Sequence, residues 1–220
     1  AGAVALAKVW SVTRPDVPTH VVMPRGVNPL VDRFLAYHKH LLPVRGFKTI
    51  REQDIIAVGV VDTQAVERLG PAAGWLKSAS HVAVYDHHQL AEGNIAPDEL
   101  VIEPVGSATT VLVERLRALS EAMAARTAEG ERALGAQLSE RLRLTDTEAT
   151  LLALGIRADT GALSYAGTTP RDAYALAWLM EHGCSQSAIA EFGQARLSAH
   201  QRALLAEAMS SIELLRHEGI

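Results

Sequence analysis

Residues 81–88 read HVAVYDHH, a short apolar run that ends in one carboxylate and two imidazoles. The β-branched residues Val82 and Val84 favour a strand that is covered on both faces, as in a parallel sheet. Ligands of open parallel sheets bind beyond the carboxyl ends of the strands. We therefore predict an α/β protein whose parallel sheet carries the Asp-His-His triplet, residues 86–88, at its rim.

A second apolar strand with an acidic end precedes this segment. Residues 55–61 read IIAVGVV and are followed at once by Asp62. A short helix near residues 64–69 and a break at Gly70-Pro71 complete a strand–helix–strand unit, which is parallel and right-handed in nearly all proteins. Asp62 and the triplet should then leave the sheet at the same edge. Neighbouring strands lie about 5 Å apart, so these side chains could share a metal ion.

A third acidic motif follows an apolar helix. Thr145 and Glu148 are spaced as a capping box ahead of the apolar residues 149–156, which run into the sequence RADTG at 157–161. Asp159 within this motif could end the helix or supply a third carboxylate to the rim. The motif by itself leaves both interpretations open.

Small hydroxyl residues open another helix at GSATT, residues 106–110. Such residues are usual helix caps, and free backbone N–H groups at a helix start also form anion sites. We weigh these two interpretations equally. A later helix begins at Pro170 and carries apolar residues on more than one face, which predicts that it is buried.

The composition describes a globular protein. Of 220 residues, 48% are hydrophobic, which is typical of an α/β core and argues against disorder. The formal net charge of −4 excludes a surface that is basic throughout. This net charge does not exclude a local phosphate-binding groove, because a metal ion can supply positive charge there. The single cysteine, Cys184, cannot form an internal disulfide, which fits a reducing compartment.

Location is predicted from the same features. No apolar run reaches the roughly 18 residues of a membrane span, so we predict no membrane association and a cytoplasmic protein. The chain starts with Ala1 rather than Met, inside residues that already have a helical pattern. We therefore expect it to be the middle of a longer protein. A targeting segment for an organelle such as a plastid stays open for that reason.

The candidate ligands combine carboxylates and imidazoles without a thiolate. That mixture suits Mn²⁺ or Mg²⁺, with Zn²⁺ as a further option. Carboxylates that bridge a pair of such ions are a known route to phosphoryl hydrolysis. Because three protein ligands are too few for two ions, further carboxylates from another strand end are needed.

Four motifs together resemble the DHH phosphoesterase superfamily. In chain order they are VVDT (60–63), DHH (86–88), GSATT (106–110) and GIRADTG (155–161). Residues 23–43 and 164–183 resemble the subgroup in which a DHH domain is joined to CBS domains and a poly(A)-polymerase or CCA-adding-type nucleotidyltransferase. The resemblance covers nearly the whole chain. It implies a parallel Rossmann-like sheet flanked by helices, with C-terminal helices leading to an absent second domain.

The resemblance also implies a hydrolytic site with two Mn²⁺ ions in the complete protein, or Mg²⁺ in their place. Asp62, His87 and Asp159 resemble the metal ligands, Asp62 being the bridging carboxylate. His88 resembles the residue that contacts the scissile phosphate and assists the leaving group. Asp86 resembles a residue that orients an imidazole. Four further residues are expected to touch substrate: Ser107, Thr109, Arg157 and Thr160.

One motif of the family is not in the sequence. Its first motif, an Asp-x-Asp pair at the end of the first strand, would precede Ala1. We therefore divide the chain into a DHH-type domain over residues 1–183, which lacks its first strand, and a helical segment or linker over 184–220. A fragment with three ligands should bind one metal ion weakly and hydrolyse little.

Two functions stay open. The first is a metal-dependent phosphoesterase acting on an oligonucleotide, cyclic dinucleotide, pyrophosphate or polyphosphate. The second is a regulatory or RNA-positioning module of a tRNA nucleotidyltransferase or poly(A)-polymerase fusion, with little hydrolysis of its own and tRNA as a partner. No Gly-x-Gly-x-x-Gly follows a strand, which argues against a plain dinucleotide-binding domain. The oligomeric state is not predicted.

Overall fold

A computed structural model of the chain describes residues 1–23, 28–89, 94–128, 132–193 and 199–212. The strands are β1 (Val21–Val22), β2 (Val44–Arg45), β3 (Ala57–Val61), β4 (His81–Asp86) and β5 (Glu99–Ile102). The helices are α1 (Gly2–Thr13), α2 (Pro29–His38), α3 (Trp75–Ser78), α4 (Ala108–Ala128), α5 (Arg132–Leu142), α6 (Asp146–Asp159), α7 (Pro170–Glu181), α8 (Gln186–Phe192) and α9 (Ala199–Ser210).

Every strand pair in these ranges is parallel. β3, β4 and β5 form one sheet with β4 in the centre, and Val61 at the end of β3 lies opposite Tyr85. β1 and β2 form a second pair in which Val21 lies opposite Val44. The predicted α/β fold with parallel strands and flanking helices is confirmed. The crossover from β3 to β4 brings the ends of both strands to one edge.

The central strand is buried on both faces. Val82, Ala83, Val84 and Tyr85 are each at most 6% exposed. Successive residues of a strand point to opposite faces, so burial of all four means that both faces are covered. β5 is an edge strand in this sheet, and its Leu100 is half exposed.

Most of the core lies between the sheet and helices α1, α4 and α6. The predicted capping box at Thr145 and Glu148 is confirmed as the start of α6. The helix then buries nearly every side chain: Leu151, Leu152, Leu154 and Ile156 are at most 1% exposed. Its last residue, Asp159, is thereby held in a fixed place at the end of a buried helix.

An ion pair joins α1 to the start of α6. Lys8 Nζ lies 2.7 Å from a Glu148 carboxylate oxygen and also donates a hydrogen bond of 2.6 Å to the Arg143 carbonyl. Both side chains are largely buried, at 13% and 9% exposure. Removal of either partner would leave the other charge without compensation in a poorly solvated place.

We expect Lys8→Met to lower the free energy of unfolding by about 2 kcal/mol, because Glu148 loses its cation while keeping its capping-box contacts. Urea unfolding followed by circular dichroism measures the loss. Lys77→Met is the matched control, since Lys77 is exposed on α3, and it should change stability by less than about 0.5 kcal/mol. Equal stability of the two variants would show that the pair contributes nothing.

Two predictions about local structure are wrong. α7 is buried on one face only: Tyr174 is 68% exposed and Met180 57%, because the helix packs on α4 and α6 through Ala175 and Leu179. The predicted helix at 64–69 is instead a 3-10 segment over Val66–Gly74 with a break at Gly70. Strand β2 was not predicted, because two residues carry too little periodicity.

The C-terminal helices begin beyond Gly183, whose φ of +85° follows the end of α7. α8 packs on α2 and α6 and buries Ile189 and Phe192. The division of the chain at residue 183 stays a prediction. Across the described ranges, none of the helices has both the length and the apolar character that a membrane crossing needs.

Candidate metal centre

The parallel pairing of β3 and β4 brings four predicted site residues together. Asp62 follows β3 directly, and its backbone N–H donates to the Tyr85 carbonyl at 2.9 Å. Asp86 is the last residue of β4, with His87 and His88 immediately beyond it. One potential ligand atom from each of four residues lies within 4.8 Å of the others: Asp62, Asp86, His87 and His88. We call these four residues the rim cluster.

His87 presents a free nitrogen to Asp62. Its Nδ1 lies 3.0 Å from the Val105 carbonyl oxygen. A carbonyl only accepts, so Nδ1 carries the proton and the lone pair of the neutral ring is on Nε2. Nε2 lies 3.3 Å from Asp62 Oδ1. This is the tautomer and orientation of a metal-ligating histidine whose second nitrogen is fixed by a backbone carbonyl.

The hydrogen bond to Asp62 raises the pKa of His87, and it outweighs burial, which acts in the opposite direction. Without a cation, the imidazole therefore tends to hold a proton against the carboxylate. A divalent cation between the two groups would displace that proton, so metal binding should strengthen as pH rises through the pKa of His87.

Asp86 holds His88 in place. It is 1% exposed, and its Oδ1 accepts hydrogen bonds from His88 Nδ1 and from the His87 backbone N–H, both at 2.8 Å. Burial by itself raises the pKa of Asp86, but hydrogen bonds from Gln64 and His88 prevail and the pKa is lowered. Asp86 is therefore ionised and holds the His88 ring through Nδ1. The other ring nitrogen of the half-exposed His88, Nε2, is directed away from Asp86.

Gln64 is a site residue that the sequence reasoning missed. Its side chain is 8% exposed, and Nε2 donates to Asp86 Oδ2 at 2.9 Å and to the His88 carbonyl at 3.1 Å. It thereby ties the turn after β3 to the turn after β4. Its position two residues after Asp62 could have indicated this role, because a polar side chain there lies near the same edge of the sheet.

Asp62 has an unusual backbone conformation. Its φ is +70°, a region that non-glycine residues seldom occupy, with Asp and Asn as the more tolerant types. Conformations of this kind are concentrated at functional sites, where surrounding contacts maintain them. Here the conformation places the carboxylate toward His87 instead of along the strand.

Asp159 faces the same region but is not part of the rim cluster. Ser107 Oγ donates to its Oδ2 at 2.6 Å. Burial raises the pKa of Asp159, and the negative charge of Asp62 adds to this effect. The two carboxylates are therefore close enough to repel each other, and a cation near both would relieve the repulsion.

The hydroxyl-rich loop before α4 is fixed by a buried carboxylate. Asp172 is fully buried and accepts hydrogen bonds from the Gly106 N–H at 2.9 Å and Thr110 Oγ1 at 2.6 Å. It also accepts from Thr169 Oγ1 at 2.7 Å, within its own capping box. A Cβ at position 106 would lie 2.9 Å from Asp172 Oδ2, so glycine is required there. The sequence pattern left a helix cap and an anion site equally open for this loop and did not indicate the buried carboxylate.

Two predicted substrate contacts, Thr160 and Thr109, have buried side chains and stay predictions. Thr160 is fully buried, and its hydroxyl donates to the Ile156 carbonyl at 2.7 Å and accepts from the Leu163 N–H at 3.1 Å. Thr109 is 4% exposed in the first turn of α4. The Thr160 hydroxyl thereby fixes the end of α6, and the Thr109 backbone N–H donates to Ser107 Oγ at 3.1 Å at the start of α4.

The other two predicted substrate contacts remain predictions. Ser107 is also buried, and its hydroxyl is directed at Asp159. Arg157 lies in the last turn of α6, and its Nε is buried without a hydrogen-bond partner within the described residues.

Comparison with solved structures defines the class of fold. The chain matches an exopolyphosphatase-related protein from Bacteroides fragilis with a TM-score of 0.64 and 12% identity, over 98% of this chain and 58% of that one. It matches a putative family II inorganic pyrophosphatase from Methanococcus jannaschii with a TM-score of 0.54 and 18% identity, over 92% and 56%. At these identities the likeness shows the fold alone. The fold implied by the resemblance to the DHH phosphoesterase superfamily agrees with these matches.

Curated relatives are more similar in sequence. The chain is 30% identical over 190 residues to an A-adding tRNA nucleotidyltransferase from Geobacter sulfurreducens and 31% identical over 192 residues to one from Aquifex aeolicus. These matches include 86% and 83% of this chain. The chain spans about a fifth of the relatives' length, 19% and 20%. No family model matches the chain.

Proposed function

We propose that this chain is a divalent-metal-dependent phosphoesterase domain that hydrolyses a phosphodiester or a phosphoanhydride. The observation that carries the proposal is the approach of Asp62 Oδ1 and His87 Nε2 to 3.3 Å at the carboxyl edge of a parallel sheet. The fold that the chain shares with phosphatase structures supports it.

The donor atoms fit a divalent cation. Two ligands about 2.1 Å from one ion and roughly at right angles lie about 3 Å apart, close to the spacing of Asp62 and His87. Oxygen and imidazole donors without thiolate suit Mn²⁺ or Mg²⁺. We propose Asp62, His87 and Asp159 as the ligands. A second ion would need further carboxylates.

The residues of the rim cluster then have separate tasks. A bound cation would supply Lewis-acid activation of the attacking water and neutralise charge on the phosphoryl group. His88, with Nδ1 bound to Asp86, has Nε2 available to donate a proton or a hydrogen bond to the departing oxygen. Asp86 keeps that ring in one orientation through its contact with Nδ1.

The comparisons support two classes of substrate. One solved relative is described as exopolyphosphatase-related and another as a putative pyrophosphatase, which favours phosphoanhydrides. The curated relatives act on tRNA, which favours phosphodiesters of short RNA. We propose a phosphate-containing small molecule or short nucleic acid as substrate and a cytoplasmic location.

A substrate panel tests the proposal. The purified chain is incubated with Mn²⁺, Mg²⁺ or EDTA and, separately, with pyrophosphate, polyphosphate, a cyclic dinucleotide and a short oligoribonucleotide. We expect slow hydrolysis of at least one substrate that needs Mn²⁺ or Mg²⁺ and is lost with His88→Gln. Products are resolved by ion-exchange chromatography. Absence of metal-dependent product from every substrate would contradict the proposal.

One observation favours a second function. Identity of 30–31% to A-adding tRNA nucleotidyltransferases is compatible with a module that positions RNA for a separate catalytic domain. Under this alternative, a full-length nucleotidyltransferase that contains this domain hydrolyses none of the substrates, with or without His88→Gln. The variant would also leave its A-addition unchanged. The phosphoesterase proposal expects a loss of hydrolysis in the same variant.

A further inference from the structure

A groove lies beside the β1–β2 pair and shares no residue with the rim cluster. It consists of two adjoining depressions of about 460 and 450 Å³. His20, Val44 and Arg45 line both depressions, so the two are continuous. Lys39 and His40 line the first one. We call this feature the basic groove.

The charge of the basic groove is not neutralised locally. No Asp or Glu is among the described residues that line it, and none of the ion pairs found in the described ranges involves Lys39 or Arg45. The sequence shows the same imbalance: residues 19–50 contain five Lys or Arg and a single Asp, in a protein of net charge −4. A concentrated positive surface on an acidic protein indicates an anionic ligand.

The arrangement suits a chain of phosphates better than one small anion. Four polar side chains are exposed and spread along the groove: His20, Lys39, His40 and Arg45. A specific site for a small anion uses buried, convergent donors, whereas backbone contacts to nucleic acid come from exposed cations spaced along a track. Between the cations the floor is apolar, formed partly by the buried Leu42 and Val44.

Exposed aromatic residues accompany these cations in the sequence. Tyr37 is 70% exposed and lies two residues before Lys39, with its ring centroid 6.0 Å from that of Phe192. Phe47 is 37% exposed and lies two residues after Arg45, and one face of its ring stacks on Trp75 at 4.9 Å. Both rings lie beside the lining residues in sequence and are not themselves part of the lining. Single-stranded nucleic acids are bound by cationic grooves combined with aromatic side chains on which bases stack. Inorganic polyphosphate has the same charge spacing but gains nothing from aromatic rings.

We propose that the basic groove binds a single strand of nucleic acid through its phosphates, at a site distinct from the rim cluster. The ligand is held mainly by Lys39 and Arg45, with the two histidines as additional hydrogen-bond donors. The groove would thus retain or position a nucleic acid whether or not the rim cluster hydrolyses it. The inference is independent of the proposed hydrolytic function.

Fluorescence anisotropy tests this inference with labelled oligouridylate and oligothymidylate of about 12 nucleotides. EDTA is present throughout, so that hydrolysis and metal bridging do not contribute. The double variant Lys39→Gln/Arg45→Gln should bind about tenfold or more weakly, and the slope of log K against log salt should fall by about 1.4, for two lost single-strand contacts. The salt range is about 50–200 mM.

Two further variants are the controls. Arg68→Gln/Lys77→Gln removes the same charge from exposed positions outside the groove and should retain both affinity and slope. Lys39→Arg/Arg45→Lys preserves the charges and should retain binding, which separates charge from folding effects.

Three results would overturn the inference. They are an equal loss in the Arg68/Lys77 control, an unchanged salt slope in the Lys39/Arg45 variant, and binding of labelled polyphosphate without binding of either oligonucleotide. The last result would assign the groove to inorganic polyphosphate. Tighter binding of the RNA than of the DNA would support the inference and add that the 2′-hydroxyl is recognised.

Discussion

Replacing Asp62 with asparagine should weaken Mn²⁺ binding at the rim cluster at least about 100-fold and remove metal-dependent hydrolysis. Asparagine keeps the size of the side chain and tolerates the φ of +70° found at this position, so the fold should be retained. The amide oxygen is a weaker ligand than a carboxylate and no longer neutralises the cation. Isothermal titration of the metal-free chain with Mn²⁺ measures the loss of affinity.

A second measurement on the same variant does not depend on metal. The hydrogen bond from His87 to Asp62 is the largest cause of the raised pKa of His87, so its removal should lower that pKa toward the ordinary value of 6.5. Proton NMR of the imidazole signals in EDTA follows the titration. Asp16→Asn, at an exposed position before β1, is the matched control and should change neither the pKa nor the affinity. Unchanged Mn²⁺ affinity in Asp62→Asn would remove Asp62 from the ligand set.

Asp172→Ala should cause the largest loss of stability, about 4 kcal/mol. The substitution leaves the Gly106 N–H and the hydroxyls of Thr110 and Thr169 without their buried acceptor. The loop that presents Ser107 to Asp159 would lose its fixed position as well. Urea unfolding at pH 7 measures the loss, and Asp32→Ala, exposed on α2, should cost less than about 1 kcal/mol. Similar losses from the two variants would contradict the assignment.

The contribution of Asp172 should depend on pH in a defined direction. Burial by itself raises the pKa of Asp172, but hydrogen bonds from Thr110, Thr169 and Gly106 outweigh it and lower the pKa from the ordinary value of 3.8. A carboxyl group with a lowered folded-state pKa stabilises above its unfolded pKa, and this stabilisation disappears as pH falls through the folded-state value. The stability difference between the parent chain and Asp172→Asn should therefore be constant from pH 7 to 5 and shrink below 3.8. A constant difference in acid would refute the argument.

The sequence by itself determined the parallel sheet edge and most of what lies on it. Strand β4 was predictable because its apolar run is short, β-branched and abruptly ended by Asp86. Asp62 was placed beside the triplet because a crossover between consecutive strands is almost always parallel. The capping box at Thr145 was predictable because a cap depends on residues three positions apart. In each case the deciding interaction is local or follows from a general rule of chain handedness.

Only the tertiary structure decided which side chains support the site. Gln64 reaches Asp86 across 22 residues, and Asp172 reaches Gly106 across 66. Burial also overturned one sequence prediction, because the exposed side of α7 depends on which helices pack against it. Sequence periodicity describes one segment at a time, whereas hydrogen-bond partners and burial are set where distant segments meet. The fold was therefore predictable from local patterns, and the supports of its site were not.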